Sequence, residues 1–268
     1  MQTSDAGFRR RAEALDALFG LGGRTALVTG SSAGIGRALA EGLAAAGAAV
    51  IMNARDAGRL GVAAAELSAK GHVVHARAFD VTDHAAVEGE IDRFEAEIGP
   101  IDIVVNNAGI QHRAPLDTFP TEAFERLWRT NVEGVFHVAR AAARHMIPRR
   151  AGRIINIASV MSSVARPTIA PYSATKGAVA NLTKGMAADW ARHGLVCNAI
   201  APGYFQTPLN APLTSDPAFC RWLEERTPVR RWGNVEELVG ACVFLASPAA
   251  SFMNGHVLYV DGGITATV

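Results

Sequence analysis

Residues 25–36, Thr-Ala-Leu-Val-Thr-Gly-Ser-Ser-Ala-Gly-Ile-Gly (TALVTGSSAGIG), decide the fold of this chain. Thr25–Thr29 is a short apolar, β-branched run that reads as a strand, and Ile35–Ala46 beyond it is an Ala- and Leu-rich helix former. Between them, Gly30, Gly34 and Gly36 tolerate positive φ and let backbone N–H groups come close to an anion at the helix N-terminus. Ser32 and Ile35 lie in the same turn. A strand, a glycine turn and a helix in this order form the unit that seats a dinucleotide pyrophosphate.

Working outward, the same alternation continues. Strands are expected at Ala49–Asn53, Val73–Phe79, Ile101–Asn106, Arg153–Ala158, Leu195–Ile200 and His256–Val260. Helices are expected near Arg59–Lys70, His84–Ile98, Glu122–Met146, Pro171–Arg192 and Val235–Ala246. Strands separated by helices of this length need crossovers, which implies a seven-stranded parallel sheet with helices on both faces. The expected organisation is therefore one α/β doubly wound domain over residues 21–268 behind a tail, residues 1–20, helical from Phe8 to Phe19. One stretch breaks the rhythm. Residues 204–232 carry Pro208, Pro212, Pro217 and Pro228 among Phe205, Trp222 and Trp232, and read as an ordered lid.

Composition bounds the rest. The chain has 268 residues, 49% hydrophobic and 19% charged, with 26 Lys+Arg against 25 Asp+Glu and a formal net charge of +1. A chain of this size buries roughly 70–75% of its unfolded surface, so it needs no disulfide or metal to fold. A nearly neutral balance argues against nucleic acid as a partner. No run of 18 apolar residues is present, so no membrane span is expected. Cys197, Cys220 and Cys242 are odd in number and far apart, which suggests buried free thiols in a reducing compartment. Arg9, Arg10 and Arg11 are followed by Glu13 and Asp16 rather than an apolar signal core, so the expected location is the cytoplasm. The eight histidines show no metal-ligand spacing, and no metal is expected.

The spacing T-G-x-x-x-G-I-G resembles the glycine motif of the short-chain dehydrogenase/reductase family. The resemblance recurs at Asn106-Asn107-Ala108-Gly109, at Tyr172-x-x-x-Lys176 and at Pro202-Gly203, and these blocks span residues 24 to 263. It implies a Rossmann-like fold and reversible hydride transfer between a nicotinamide cofactor and a carbinol carbon. It also implies a cofactor site that includes Asn107, Ala108, Gly109, Pro202 and Gly203, with Asp80-Val81 against the adenine and Thr207 against the nicotinamide carboxamide. The residues after the second strand bear on the cofactor. NAD-selective sites place a carboxylate at that strand end. Here Ala54 stands there and Arg55 follows, so a 2′-phosphate is not repelled and a guanidinium is at hand. NADP(H) is favoured over NAD(H).

Tyr172 and Lys176 are four residues apart on an expected helix and share a face. A nearby ammonium favours phenolate and is expected to move Tyr172 from its ordinary pKa near 10 towards the working range. Ser159 sits at a strand end, where it can hydrogen-bond the reacting oxygen. Ser162 and Ser163 compete for that role, and the 13-residue interval to Tyr172 that the family shows selects Ser159. Asn131 resembles the family's fourth catalytic position, which holds a water in a proton relay.

Fold and tetrad do not choose the substrate. Finer resemblance, in NNAGIQHR (106–113), NIASVM (156–161), YSATKGAVANLTK (172–184), NAIAPGYFQTPL (198–209) and VLYVDGGIT (257–265), is to family members that act on sugar acids. Arg113, four residues past Gly109 at the ligand edge, suits a carboxylate, and Gln111, His112 and Arg166 are further polar candidates. Tyr204 opens the lid over the substrate. A 3-oxoacyl thioester reductase, another polyol or sugar dehydrogenase, and a non-catalytic nucleotide sensor stay open at this point. The family resemblance also implies a homotetramer.

Overall fold

Seven strands form where apolar, β-branched runs lie in the sequence: β1 (Thr25–Val28), β2 (Ala49–Ala54), β3 (Val74–Ala78), β4 (Ile103–Asn106), β5 (Gly152–Ile157), β6 (Leu195–Pro202) and β7 (Val257–Val260). The structure, a computed structural model, describes residues 2–267, with side chains from residue 11 onward. The strands make one sheet in the order β3-β2-β1-β4-β5-β6-β7, every pairing parallel. The helices are α1 (Gln2–Phe19), α2 (Gly34–Ala45), α3 (Ala57–Ala69), α4 (His84–Glu97), α5 (Thr121–Trp128), α6 (Gly134–Arg149), α7 (Ala170–Trp190), α8 (Ala211–Thr214), α9 (Pro217–Arg226) and α10 (Val239–Ala246). Asp56 starts α3 by accepting the Arg59 N–H at 3.0 Å, and Asp83 starts α4 by accepting those of Ala85 and Ala86, each at 3.1 Å.

Period-two alternation splits the strands between two cores. Ala26, Val28, Val50 and Met52 face α2, α3 and α10, while Leu27, Ile51 and Val104 face α4, α6 and α7. Burying each large aliphatic side chain here contributes about 1.5–3 kcal/mol. The chain runs outward from β1 to β3, then returns through α4 to pair β4 with the other side of β1. The loops after β1 and β4 therefore diverge, and a crevice opens at their carboxyl ends.

Several expected elements differ in extent. The single helix expected over Glu122–Met146 is broken into α5, a π-turn at Arg129–Glu133 and α6. The wide turn rotates Asn131 inward, where its amide satisfies both backbone groups of Ile110, a contact that regular helical geometry would not dictate. The helix expected over Val235–Ala246 begins as a tight turn at Val235–Leu238, fixed by a reciprocal cap between Asn234 and Glu237, before α10. The tail helix starts at Gln2 rather than Phe8. Leu21, 1% exposed and hydrogen-bonded through its N–H to Ala46 O at 2.8 Å, ties that helix to the domain. Cys197 and Cys242 are buried, but Cys220 of α9 is only partly covered.

Residues 203–234 leave the sheet after β6. They form a turn at Pro208–Asn210, then α8 and α9, and their base is closed by Gly233 N–H to Tyr204 O (2.9 Å) and Gln206 N–H to Gly233 O (3.0 Å). Leu223 and Trp232 of this excursion pack on Val160, Met161 and Ile169, a third apolar cluster next to the crevice.

Candidate active site

The crevice holds two adjoining cavities that share Gly30, Ala108, Gly109 and Ile110 as a common wall. Its floor is the glycine turn. Gly30 has φ +63°, and a Cβ there would lie 2.8 Å from Ala108 Cα. At Gly36 a Cβ would lie 2.4 Å from Gly30 O. Larger residues are thus excluded from the turn by β4's loop as much as by backbone preference. Ala33, the residue before α2, offers no side-chain cap, so the first N–H groups of α2 face the cavity unclaimed by a side chain.

A clamp that sequence reasoning missed fixes this floor. Thr29 Oγ1 accepts the N–H groups of Asn107 (3.0 Å) and Ala108 (3.1 Å), and Asn107 Nδ2 donates back to Thr29 O (3.0 Å) and Gly30 O (3.1 Å). On the next strand, Asn53, 1% exposed, donates to Arg77 O at 3.2 Å and Phe79 O at 3.1 Å, fixing the carboxyl end of β3. The available signal was polar residues at the ends of otherwise apolar strands.

Ser32, Arg55, Asp80 and Val81 line the second cavity together with Asp56 and Arg59, neither of which was expected. Arg55 extends into solvent, 67% exposed, with Nη1 3.9 Å from Asp80 Oδ2. The Asp56 carboxylate is committed to capping α3 and pairs with Arg59 at 3.5 Å. Val81 is buried against Gly134. The end of β2 thus gathers two arginines, each near a carboxylate, and the solvent-facing Arg55 guanidinium could receive a phosphate.

The first cavity collects Gly34, Ile35, Gly36, Gln111, Arg113, Ser159, Arg166, Tyr172, Lys176, Pro202, Gly203, Tyr204 and Thr207. Ser159, 8% exposed, accepts the Met161 N–H at 3.1 Å. Its competitors are engaged elsewhere: Ser162 donates to Lys176 O at 2.9 Å, and Ser163 meets the Tyr259 hydroxyl. Lys176, 6% exposed, donates from Nζ to Ile157 O at 2.7 Å and lies 5.8 Å from the Tyr172 ring centroid. Thr207 accepts the Asn210 N–H at 3.3 Å and so begins the turn that roofs the cavity.

Two expectations need correction. Tyr172 is not drawn down by Lys176. Burial dominates and pushes the phenol above its ordinary value, with the Ser159 hydroxyl working the other way. Burial also lowers the lysine itself to about 8. The physical reason is that Nζ is turned to the Ile157 carbonyl and that burial desolvates both groups. His112 is not in the cavity, because its ring packs edge-on against Phe119, centroids 5.2 Å apart. Asn131 is 1% exposed and stands behind the wall. It holds Ile110 through N–H to Oδ1 (2.8 Å) and Nδ2 to O (3.1 Å), and donates to Thr175 Oγ1 at 3.2 Å.

Among the described residues lining the first cavity, Arg113, Arg166 and Lys176 are cationic and none is a carboxylate. The Arg113 Nε is buried without a partner, and burial, then the Arg166 charge, lowers the pKa of this guanidinium. Such a pocket can accept an anion, donate hydrogen bonds to it and exchange a proton through Tyr172.

Known proteins share this arrangement over nearly the whole chain. Residues 30–265 match a short-chain dehydrogenase/reductase model described as enoyl-(acyl carrier protein) reductase. The chain is 57% identical over 251 residues to gluconate 5-dehydrogenase of Gluconobacter oxydans (strain 621H), covering 94% of this chain and 98% of that protein. It is 47% identical over 251 residues to 5-keto-D-gluconate 5-reductase of Escherichia coli (strain K12), covering 94% and 99%. The crystal structure of a gluconate 5-dehydrogenase from Burkholderia cenocepacia J2315, in complex with NADP and tartrate, superposes with a TM-score of 0.93 at 56% identity, covering 95% of this chain and all of that one. Likeness of this extent, running from the glycine turn to the last strand, makes the chain a member of the short-chain dehydrogenase/reductase family.

Proposed function

We propose that this chain interconverts D-gluconate and 5-dehydro-D-gluconate as an NADP(H)-dependent oxidoreductase. The observation that carries the reading is the first cavity, which sets Ser159 and Tyr172 beside three cations and no carboxylate. A sugar acid brings both the carbinol carbon and the anion that such a pocket asks for. The names of the relatives support the same substrate pair.

The residues present fit the cofactor. The glycine floor that a Cβ would fill and the α2 N–H groups suit the pyrophosphate, and Arg55 with Arg59 suits a 2′-phosphate. NADP(H), when bound, supplies or takes up the hydride. Asn107, Ala108, Gly109, Pro202, Gly203 and Thr207 line its path, with Asp80 and Val81 at the adenine end. In reduction, Tyr172 Oη gives its proton to the carbonyl oxygen while the Ser159 hydroxyl donates a hydrogen bond to that oxygen. In oxidation, Tyr172 removes the hydroxyl proton. Lys176 lies on the phenol side of the pocket, and Asn131 pins Ile110 of the wall and, through Thr175, the helix that carries Lys176. Arg113 takes the carboxylate. Residues 204–232, with Tyr204 at the mouth, act as the lid that excludes water.

The assembled enzyme is a homotetramer in the cytoplasm on this reading. Exposed Phe124 and Trp128 on α5 and Phe136 on α6 support burial of these helices against another subunit, and sedimentation mass tests it. NADPH oxidation with 5-dehydro-D-gluconate, set against an acetoacetyl thioester, tests the activity. Turnover of the thioester alone refutes it. Arg113→Ala is expected to raise KM for gluconate on the order of 10- to 100-fold, and far less for uncharged D-glucitol. Equal effects on both would remove the carboxylate role.

A further inference from the structure

Arg166 lies in the loop between β5 and α7, yet its side chain is held by the excursion after β6. Its Nε donates to Tyr204 Oη at 3.1 Å, and its guanidinium stacks over Phe219 of α9, 5.4 Å from the ring centroid. Tyr204 and Phe219 belong to one aromatic group with Trp222 and Trp232, ring centroids 5.2–6.2 Å apart. This group therefore carries a positive charge to the cavity that Arg113 also lines. The two repel, and no carboxylate among the described lining residues offsets them.

We propose that Arg166 is a specificity-determining residue: with Arg113 it forms a two-guanidinium seat for the substrate carboxylate, and its anchorage on Tyr204 and Phe219 links occupation of that seat to the lid. The proposal rests on the sugar-acid reading. A carboxylate between the guanidiniums removes their repulsion and draws Arg166, with the aromatics that hold it, towards Arg113. A neutral substrate of the same length leaves the repulsion in place. Charge discrimination is then written partly in the lid rather than wholly in the loop after β4.

The test pairs each acid with its uncharged counterpart. D-glucitol replaces the carboxylate of D-gluconate by a hydroxymethyl group, and L-sorbose does the same for 5-dehydro-D-gluconate. Arg166→Met is expected to raise KM for 5-dehydro-D-gluconate on the order of 10- to 100-fold, leaving kcat/KM for L-sorbose within about twofold. Arg166→Lys, which keeps the charge but not the stacked fork, falls between. NADPH binding by nicotinamide fluorescence serves as the folding control for both variants. In a Tyr172→Phe background, which cannot turn over, gluconate with NADP+ is expected to change the Trp222 and Trp232 emission, added Arg166→Met to abolish that change, and D-glucitol to cause none. If Arg166→Met loses the same factor on acid and ketose, or keeps the emission change, the proposal is overturned while the sugar-acid reading stands. If the unmodified protein uses L-sorbose as well as 5-dehydro-D-gluconate, the reading beneath it fails, and the proposal with it.

Discussion

Replacing Lys176 by Met should change how the stability of this protein depends on pH. Lys176 is 6% exposed, and burial lowers its pKa from the ordinary 10.5 to about 8. At about 1.4 kcal/mol per pH unit, that gap amounts to a folding cost of roughly 3 kcal/mol at neutral pH. Below about pH 8 the ammonium is charged in both states, and the cost is complete. Between 8 and 10.5 the folded protein releases the proton that the unfolded chain keeps, so stability rises with pH. From pH 7 to 9.5 the gain is about 2 kcal/mol, and Met at this position cannot provide it. Met also removes the 2.7 Å hydrogen bond to Ile157 O, at a cost of about 1–3 kcal/mol. That offset is constant with pH, so the slope isolates the buried charge. Urea unfolding of both proteins, at one protomer concentration and in steps from pH 7 to 9.5, measures it. Parallel curves for the two proteins would refute the claim that Lys176 is held charged in a buried position.

Gly30→Ala places a residue at φ +63° with its Cβ 2.8 Å from Ala108 Cα, so Tm should fall and the Kd for NADPH should rise at least about tenfold. A fluorescence titration with unchanged Kd would show that the turn has room to spare. Arg55→Leu should raise KM for NADPH on the order of 10- to 100-fold and leave KM for NADH nearly unchanged; steady-state kinetics with both cofactors decide it. Because burial raises the Tyr172 pKa, the phenol is protonated at neutral pH, which suits reduction. Oxidation of gluconate should therefore accelerate as pH rises into the alkaline range, while reduction of 5-dehydro-D-gluconate slows there. An oxidative kcat that levels off below pH 7 would contradict this.

The alternation that builds the sheet was readable because each strand and each helix has its own local period. The glycine turn was readable because its steric demand is local to a few residues. Ser159, Tyr172 and Lys176 were readable as a register of residue types along the chain. What escaped depends on contacts between distant segments. The break in the helix around Asn131 exists because Ile110, 21 residues earlier, needs both backbone groups satisfied. The upward shift of Tyr172 follows from burial, which motif spacing does not report. His112 sits one residue from Arg113 yet leaves the cavity to pack on Phe119. Arg59 reaches the second cavity only because the first turn of α3 brings it beside Arg55.

The charge balance of the chain makes the same point about scale. A formal net charge of +1 gives a polyanion little to bind, and it says nothing about a pocket. Elsewhere in the described structure many arginines have acidic partners: Arg149 with Glu95, Arg231 with Glu237, and Arg140 and Arg144 with Glu88. Those pairs lie at least partly in solvent and contribute little to stability. Arg113 and Arg166 share a cavity with no such partner, and burial makes the uncompensated charge of Arg113 costly. On the sugar-acid reading, that cost persists in the free protein and is recovered when the substrate carboxylate enters, so it would act as selectivity for charged substrates. A neutral polyol with the same carbinol recovers none of it. Discrimination between acid and alcohol would then depend on leaving two guanidiniums without a carboxylate partner, not on adding contacts to the hydroxyl groups.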